Sequence, residues 1–336
     1  MIRDARVLKE DFVPKEIVHR DTEANQLSKA LEPVTRDQDP ENAFLFGSTG
    51  VGKTCVSRFM LERLQEEVLD IRYQYVNCWQ DYNRFRVLYR ILESINKTLD
   101  IHRRSTPKDE LVERLRDYDG APYIVVLDEV DQLRDTKVLY DLYSHPKITM
   151  ILIANREEEL FAGMDDRVVS RLKSSRMIRF DKYRVDELVS ILSDRVKWGL
   201  KEGAVGKEQL EHIADSAAGD ARVAIGILRA AAREAESQGI ERITDDLIEE
   251  SIPEAKDEIE RKNVEKLNDH QRVLYDIIES EGEISPGDLY ERYEKKVEDP
   301  VTKRTLRNYL DKMSHYKLIE SQGENRGRIY SIRREI

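Results

Sequence analysis

The stretch Ala43-Phe44-Leu45-Phe46-Gly47-Ser48-Thr49-Gly50-Val51-Gly52-Lys53-Thr54 constrains the fold more than any other. A short apolar run ends in glycine, the pattern G-x-x-x-x-G-K-T follows, and a helical stretch runs from Cys55 to Leu69. That is strand, loop and helix, the context a phosphate-binding loop needs. Gly47, Gly50 and Gly52 let the backbone fold back and aim its N–H groups inward. With Ser48, Thr49, Val51 and Cys55 around them, and with the partial positive charge of a helix start, they form a cradle for the β-phosphate of a nucleotide. Lys53 is placed to reach the β/γ-phosphates, and Thr54 to offer its hydroxyl to Mg²⁺. The thiol of Cys55 reads as buried and structural rather than reactive.

A second half of the site follows downstream. Tyr123-Ile124-Val125-Val126-Leu127 runs without a polar break into Asp128-Glu129. Continuous apolarity marks a strand buried on both faces, as in a parallel sheet covered by helices. Acids at the carboxyl end of such a strand lie where open α/β sheets bind ligands. Asp128 is expected in the magnesium shell and Glu129 as the group that polarises the attacking water. The strand Ile148–Ala154 ends in Asn155, whose amide can bond the γ-phosphate or position the water. Further strands are expected at Ile71–Cys78 and Arg176–Phe180. Helices are expected at 24–31, 84–99 and 109–115. Arginines of the segment Asp165–Lys173 are candidates to contact a neighbour's nucleotide in trans.

Residues 186–250 read as all-helical, in four segments: Leu188–Val196, Lys207–Ala218, Asp220–Glu236 and Thr244–Ser251. Gly219-Asp220-Ala221-Arg222 opens the third, so Arg222 projects from a helix beginning, permanently charged and suited to phosphate. Such a lid can sense a third phosphate. The expected organisation is an α/β nucleotide-binding part over 1–185, a helical lid over 186–252, a charged linker over 253–266 and a separate module over 267–336.

That module reads as three helices and a β-hairpin, a winged helix. Ser285-Pro286 opens its second helix, with a hydroxyl cap and a proline at the first helical position. Between Thr302 and Arg334 nine Lys or Arg stand against three acids, although the whole 336-residue chain carries a net charge of −11. A local patch outweighs the total. Lys303, Arg304 and Arg307 lie off the apolar face of the third helix, free to enter a major groove. Arg326 and Arg328 sit on the hairpin tip, where a wing reaches the minor groove. No apolar run is long enough to span a bilayer, and the N-terminus lacks the apolar core of a signal peptide. Two cysteines without metal-site spacing suit a reducing cytoplasm.

In their order, the segment around His19-Arg20, G-S-T-G-V-G-K-T, L-D-E-V-D, I-A-N, the S-R-L segment, F-D-K-Y-R-V-D-E-L, G-D-A-R and a basic winged helix resemble one family. It is the AAA+ ATPases of the origin-recognition and replication-initiation (Orc/Cdc) type, particularly the single-chain archaeal initiators. The resemblance covers almost the whole chain. It implies an AAA+ parallel sheet with a helical lid, slow ATP hydrolysis with Mg²⁺, and ATP or ADP as the bound nucleotide. It further implies binding to duplex origin DNA, recruitment of a replicative helicase of the minichromosome maintenance type, self-association on DNA, no membrane, and a nucleoid-associated place in the cytoplasm. By match, Asn155 is the first sensor, Arg222 the second and Arg171 (before Arg167) the finger, while Ile17, Val18, Arg20 and Tyr183 line the adenine pocket. The insertion near residues 79–105 resembles the initiator-specific segment that also touches DNA. Asp181-Lys182-Tyr183 departs from the family's Pro-Tyr. A nucleotide-sensing transcriptional regulator at promoters would share all this chemistry. A clamp-loader-type ATPase would carry a helical collar in place of the winged helix.

Overall fold

The computed structural model describes the chain apart from positions 37, 103–105, 162, 163, 165, 317, 324–327 and 333–336, and apart from the side chains at 158, 159, 167 and 315. It divides into two compact units, Met1–Ala255 and Lys256–Ile336.

The first unit begins with α1 (Asp21–Leu31), β1 (Ala43–Phe46), α2 (Lys53–Glu67), β2 (Arg72–Asn77), α3 (Arg84–Ser94), α4 (Lys108–Arg116) and β3 (Tyr123–Asp128). It continues with α5 (Lys137–Tyr143), β4 (Ile148–Ala154), α6 (Glu157–Phe161), α7 (Asp166–Leu172) and β5 (Arg176–Arg179). The strands form one sheet in the order β2-β3-β4-β1-β5, every pair parallel. Every residue of β3 and β4 is buried, and successive side chains enter different cores. Val125, Leu127, Met150 and Leu152 pack with α3, α4 and α5, while Ile124, Val126, Ile151 and Ile153 pack with α1 and α2. Two covered faces are what their unbroken apolarity demands.

Two helices stop earlier than their apolar spacing suggests. α3 ends at Ser94 rather than Leu99, because Asn96 turns into the left-handed region (φ 60°) and leaves Leu99 in solvent. α2 ends at Glu67 because Val68 is extended, which leaves Leu69 in solvent. It also starts at Lys53, two residues before the expected Cys55, because Gly52 at φ 92° supplies the left-handed turn into the helix.

Four helices follow: α8 (Val185–Gly199), α9 (Lys207–Ser216), α10 (Ala221–Ser237) and α11 (Asp245–Glu265). The last continues through Pro253, beyond the expected end at Ser251 and across most of the stretch read as a linker. The i,i+4 pair Lys262–Glu258 (3.0 Å) supports its far end. The segment before α1 is strapped onto this helical group. Arg195 donates to the carbonyls of Val7 (2.6 Å) and Phe12 (3.2 Å), Arg229 to that of Leu8 (3.2 Å), and the Arg3 amide to the Gly199 carbonyl (2.8 Å).

The second unit takes in the C-terminal half of α11, then α12 (Asp269–Glu281), β6 (Glu283–Ile284), α13 (Pro286–Lys296), α14 (Lys303–His315), β7 (Ile319–Gln322) and β8 (Ile329–Ile332). Each helix start carries its cap: Asn268 accepts from the Gln271 amide (3.1 Å), Ser285 from Asp288 (3.3 Å) and Thr302 from Thr305 (3.3 Å). The sheet runs β6-β8-β7, antiparallel. The expected hairpin is thus joined by a third strand, too short at two residues to show in a pattern of alternation. Leu274, Ile278, Leu289, Tyr293, Leu306, Leu310 and Met313 close the core of this winged helix.

Candidate active site and nucleic-acid face

The carboxyl ends of β1, β3 and β4 lie level, with Phe46 opposite Ala154 and Leu127 opposite Leu152, so the loops after them share one end of the sheet. Gly47 (φ 151°) and Gly50 (φ 73°) wrap the loop so tightly that added side chains would collide. A Cβ on Gly47 would meet the Phe180 carbonyl oxygen at 2.2 Å, and one on Gly50 would meet Asp220 Oδ1 at 1.8 Å. Inside the wrap, Lys53 Nζ donates to the carbonyls of Gly47 (2.6 Å) and Ser48 (2.7 Å) and reaches Asn155 Oδ1 at 3.4 Å. Burial brings its pKa down to about 8, against the opposing pull of Asp128.

Asp128, the last residue of β3, accepts through Oδ2 from Thr54 Oγ1 (2.7 Å) and from the Tyr75 hydroxyl (2.5 Å). Its Oδ1 accepts from the Glu129 amide (2.8 Å). Glu129 then turns the chain in the left-handed region (φ 54°), an uncommon place for a glutamate and one found at functional sites. Both acids line the pocket together with Asn155.

The helical group closes the pocket from the other side. The Ala221 amide donates to the Gly50 carbonyl (3.0 Å), which docks the start of α10 on the loop. Asp220 caps that start, accepting from the amides of Arg222 (2.8 Å) and Val223 (3.3 Å), and its carboxylate lies 3.4 Å from the Arg222 guanidinium. Arg222 Nε is shut off from solvent with no hydrogen-bond partner. Asp220→Ala should cost about 1 kcal/mol through the lost cap. In a unit of this size that lowers the thermal midpoint by about 2–4 °C, measurable by calorimetry.

The orphaned guanidinium N–H of Arg222 is a buried donor that a polyphosphate would satisfy, and the Lys53 ammonium can exchange its carbonyl partners for phosphate oxygens. Thr54 and Asp128 put a hydroxyl and a carboxylate oxygen side by side. Among the described residues no group of three or more His, Cys, Asp or Glu could hold a metal ion by itself. A cation here would therefore take further ligands from phosphate and water, the habit of Mg²⁺.

On the second unit, Lys303, Arg304 and Arg307 are exposed on α14, opposite the buried Leu306, Tyr309, Leu310 and Met313. Two bases in the first turn oppose the helix dipole, so helix stability does not account for them. Arg307 lies near the Tyr290 hydroxyl, and Arg328, half-buried just before β8, near that of Tyr330. Arg326 lies outside the described residues.

A family model described as "Cdc6 AAA+ ATPase-type lid domain" matches residues 189–252, and an "AAA domain" model matches residues 36–160. Over 332 residues, 99% of this chain and 94% of the relative, the sequence is 51% identical to "ORC1-type DNA replication protein 9" of Halobacterium salinarum. The chain belongs to the ORC1-type DNA replication proteins. An ORC1-type protein of Sulfolobus acidocaldarius is 30% identical over 364 residues, 100% of this chain and 89% of the relative. The structure of the Aeropyrum pernix ORC1 protein in complex with DNA matches at a TM-score of 0.77 and 28% identity, over 98% of this chain and 93% of that one. This ORC1-type protein is thus an AAA+ ATPase and a replication initiator, as its motifs imply.

Within the ORC1-type chain, Thr49, Gly50, Val51, Gly52, Lys53, Thr54, Cys55, Asp128, Glu129, Asn155, Tyr183 and Arg222 line one pocket, joined by Ile17 and Val18. Gly47 and Ser48 act on it through the carbonyls that hold Lys53. Burial pushes the Cys55 thiol pKa up, in keeping with an unreactive group. Arg20 is not among the residues that line this pocket: it donates to the Val51 (3.1 Å) and Asp181 (2.6 Å) carbonyls, with its guanidinium 4.0 Å over the ring of Tyr183, which does line it. Arg171 lies outside the pocket, exposed on α7 with its guanidinium 4.8 Å from the Tyr140 ring. The Arg167 side chain is outside the described residues. Near residues 79–105, α3 buries Val87, Leu88, Ile91 and Leu92, while Arg84 pairs with Asp141 (2.7 Å) and Arg90 with Asp81 (3.1 Å).

Sequence reasoning missed Tyr75, which reaches Asp128 from β2, and several lining residues, among them Glu10, Pro14 and Glu16 from the N-terminal strap and Asp194 and Arg195 from α8. Their local patterns carry no signal. Pairing of β2 with β3 brings Tyr75 to Asp128, and the packing of strap on lid brings the others to the pocket.

Proposed function

We propose that this chain binds duplex origin DNA under the control of the nucleotide held between its loop and its lid, and helps recruit a replicative helicase of the minichromosome maintenance type. The observation that carries the nucleotide part is the docking of the α10 start on Gly50 (3.0 Å), which brings Arg222 into the same pocket as Lys53. A third phosphate there would be shared by base and lid, so ATP and ADP would favour different lid positions. A ligand shifts such an equilibrium only through its differential affinity for the two arrangements.

In this reading Lys53 neutralises the β/γ-phosphates, while Thr54 and Asp128 hold Mg²⁺. When bound, the cation draws off charge that develops on the phosphate oxygens. Glu129 orients and polarises the attacking water, and Asn155 and Arg222 report on the third phosphate. Arg171, exposed and clear of its own pocket, is free to reach a neighbour's nucleotide when copies assemble side by side on DNA. Lys303, Arg304 and Arg307 enter the major groove, with Arg326 and Arg328 at the minor groove. The DNA-bound relative from Aeropyrum pernix supports the DNA part. The place of action is the nucleoid within the cytoplasm.

Mapping chromosomal occupancy tests the origin reading against promoter regulation. Peaks at sites where replication starts, with initiation lost on depletion, are expected. Occupancy confined to promoters, with replication unaffected by depletion, would overturn it.

A further inference from the structure

Asp128 has a second hydroxyl partner that the phosphate-loop chemistry does not require. β2 is the edge strand beside β3, in a register that sets Asn77 opposite Asp128. From two residues back along that edge, Tyr75 sends its hydroxyl to Asp128 Oδ2 at 2.5 Å, the same oxygen that accepts from Thr54 Oγ1 at 2.7 Å. The ring is held in turn. Arg58, on the same helix as Thr54, lies with its guanidinium carbon 4.6 Å from the ring centroid, and the phenol packs against the core beneath α2. With Oδ1 taken by the Glu129 amide (2.8 Å), three donors from three different segments fix the plane of one carboxylate.

We infer that Tyr75 is a positioning residue for the cation-binding carboxylate: with Thr54 it pins Oδ2, so the lone pairs left on Asp128 face the phosphate end of the pocket. The inference rests on the reading that Thr54 and Asp128 hold Mg²⁺. A carboxylate free to rotate must be ordered each time a cation binds, whereas a pinned one is already in place. Outer-shell partners of this kind typically change metal affinity by about 10–100-fold when removed. A phenylalanine keeps the ring, its packing and the contact with Arg58, and removes only the donor.

The test is a titration of MgCl₂, from a chelated start, into the full chain with a fluorescent ATP analogue, read by anisotropy. Wild type, Tyr75→Phe and Asp128→Asn are compared. Tyr75→Phe is expected to bind the analogue like wild type in chelator and to need about 10-fold more Mg²⁺ for the half-maximal change. ATP hydrolysis at saturating Mg²⁺ should then approach the wild-type rate. Arg58→Met, which frees the ring without removing the hydroxyl, should shift the midpoint in the same direction by a smaller factor. It carries the test should Tyr75→Phe fail to fold. An unchanged or lowered midpoint in these variants, while Asp128→Asn shifts its own, would overturn the role of Tyr75 alone. A wild-type affinity indifferent to Mg²⁺, or an Asp128→Asn midpoint equal to wild type, would instead remove the metal reading and the inference with it.

Discussion

Lys53→Ala should weaken binding of ATP and ADP at least about 100-fold, the loss expected when two charge-assisted hydrogen bonds of about 1.5–3 kcal/mol each disappear. Its ammonium is buried at the centre of the loop, donating to the Gly47 and Ser48 carbonyls within 2.7 Å, so nothing else on the loop can supply that charge. The fold itself should lose little, because burial makes the charge costly there, as its pKa of about 8 records. That value also sets a pH dependence. The free ammonium is half-titrated at about pH 8, nearly complete a unit below and lost above, whereas a bound polyphosphate holds the proton on. Nucleotide affinity should therefore be level up to pH 7.5 and fall by as much as about tenfold per unit above pH 8. Calorimetric titration of nucleotide across that range checks both statements. Undiminished affinity in Lys53→Ala would refute the assignment of the loop.

Changing Lys303, Arg304 and Arg307 together to alanine should affect DNA binding as strongly and nucleotide binding not at all. The three are exposed on α14, and the apolar residues that hold the helix lie on its other face, so the module should keep its fold. Each side chain that contacts a phosphate contributes about one unit to the slope of log affinity against log salt. Each arginine on a base edge contributes about 1–3 kcal/mol of discrimination. The triple variant should therefore bind duplex DNA more weakly and with a slope smaller by up to about three units. Anisotropy with labelled duplexes between 50 and 300 mM salt, on the order used to resolve such slopes, reads this directly. An unchanged slope would move the DNA face elsewhere on the unit.

Much of this arrangement is legible in the chain because the decisive residues are local. The loop glycines, Lys53 and Thr54 are contiguous, and the acids follow a strand whose burial on both faces is written in its composition. Asp220 and Arg222 announce a helix start by their own spacing. What stayed hidden depends on contacts between distant segments. Tyr75 meets Asp128 only through the pairing of β2 with β3, and Arg195 meets the strap across 188 residues. The family resemblance assigns Arg20 to the adenine pocket, but which way its side chain turns depends on the Val51 and Asp181 carbonyls, far along the chain. Apolar spacing carried α3 to Leu99 because Ile95 and Leu99 prolong the period; the positive φ of Asn96 that ends the helix has no signature in that spacing. β6 was invisible for want of length.

The central claim is that one triphosphate touches both the loop and the lid. A crystal structure of the full chain grown with a non-hydrolysable ATP analogue and MgCl₂ tests it most directly. The expected density places the β-phosphate in the wrap of Gly47–Thr54, Lys53 on the β/γ-oxygens and the Arg222 guanidinium within hydrogen-bonding distance of the third phosphate. Nucleotide bound at another place, or bound on the loop with Arg222 turned away from it, would contradict the claim.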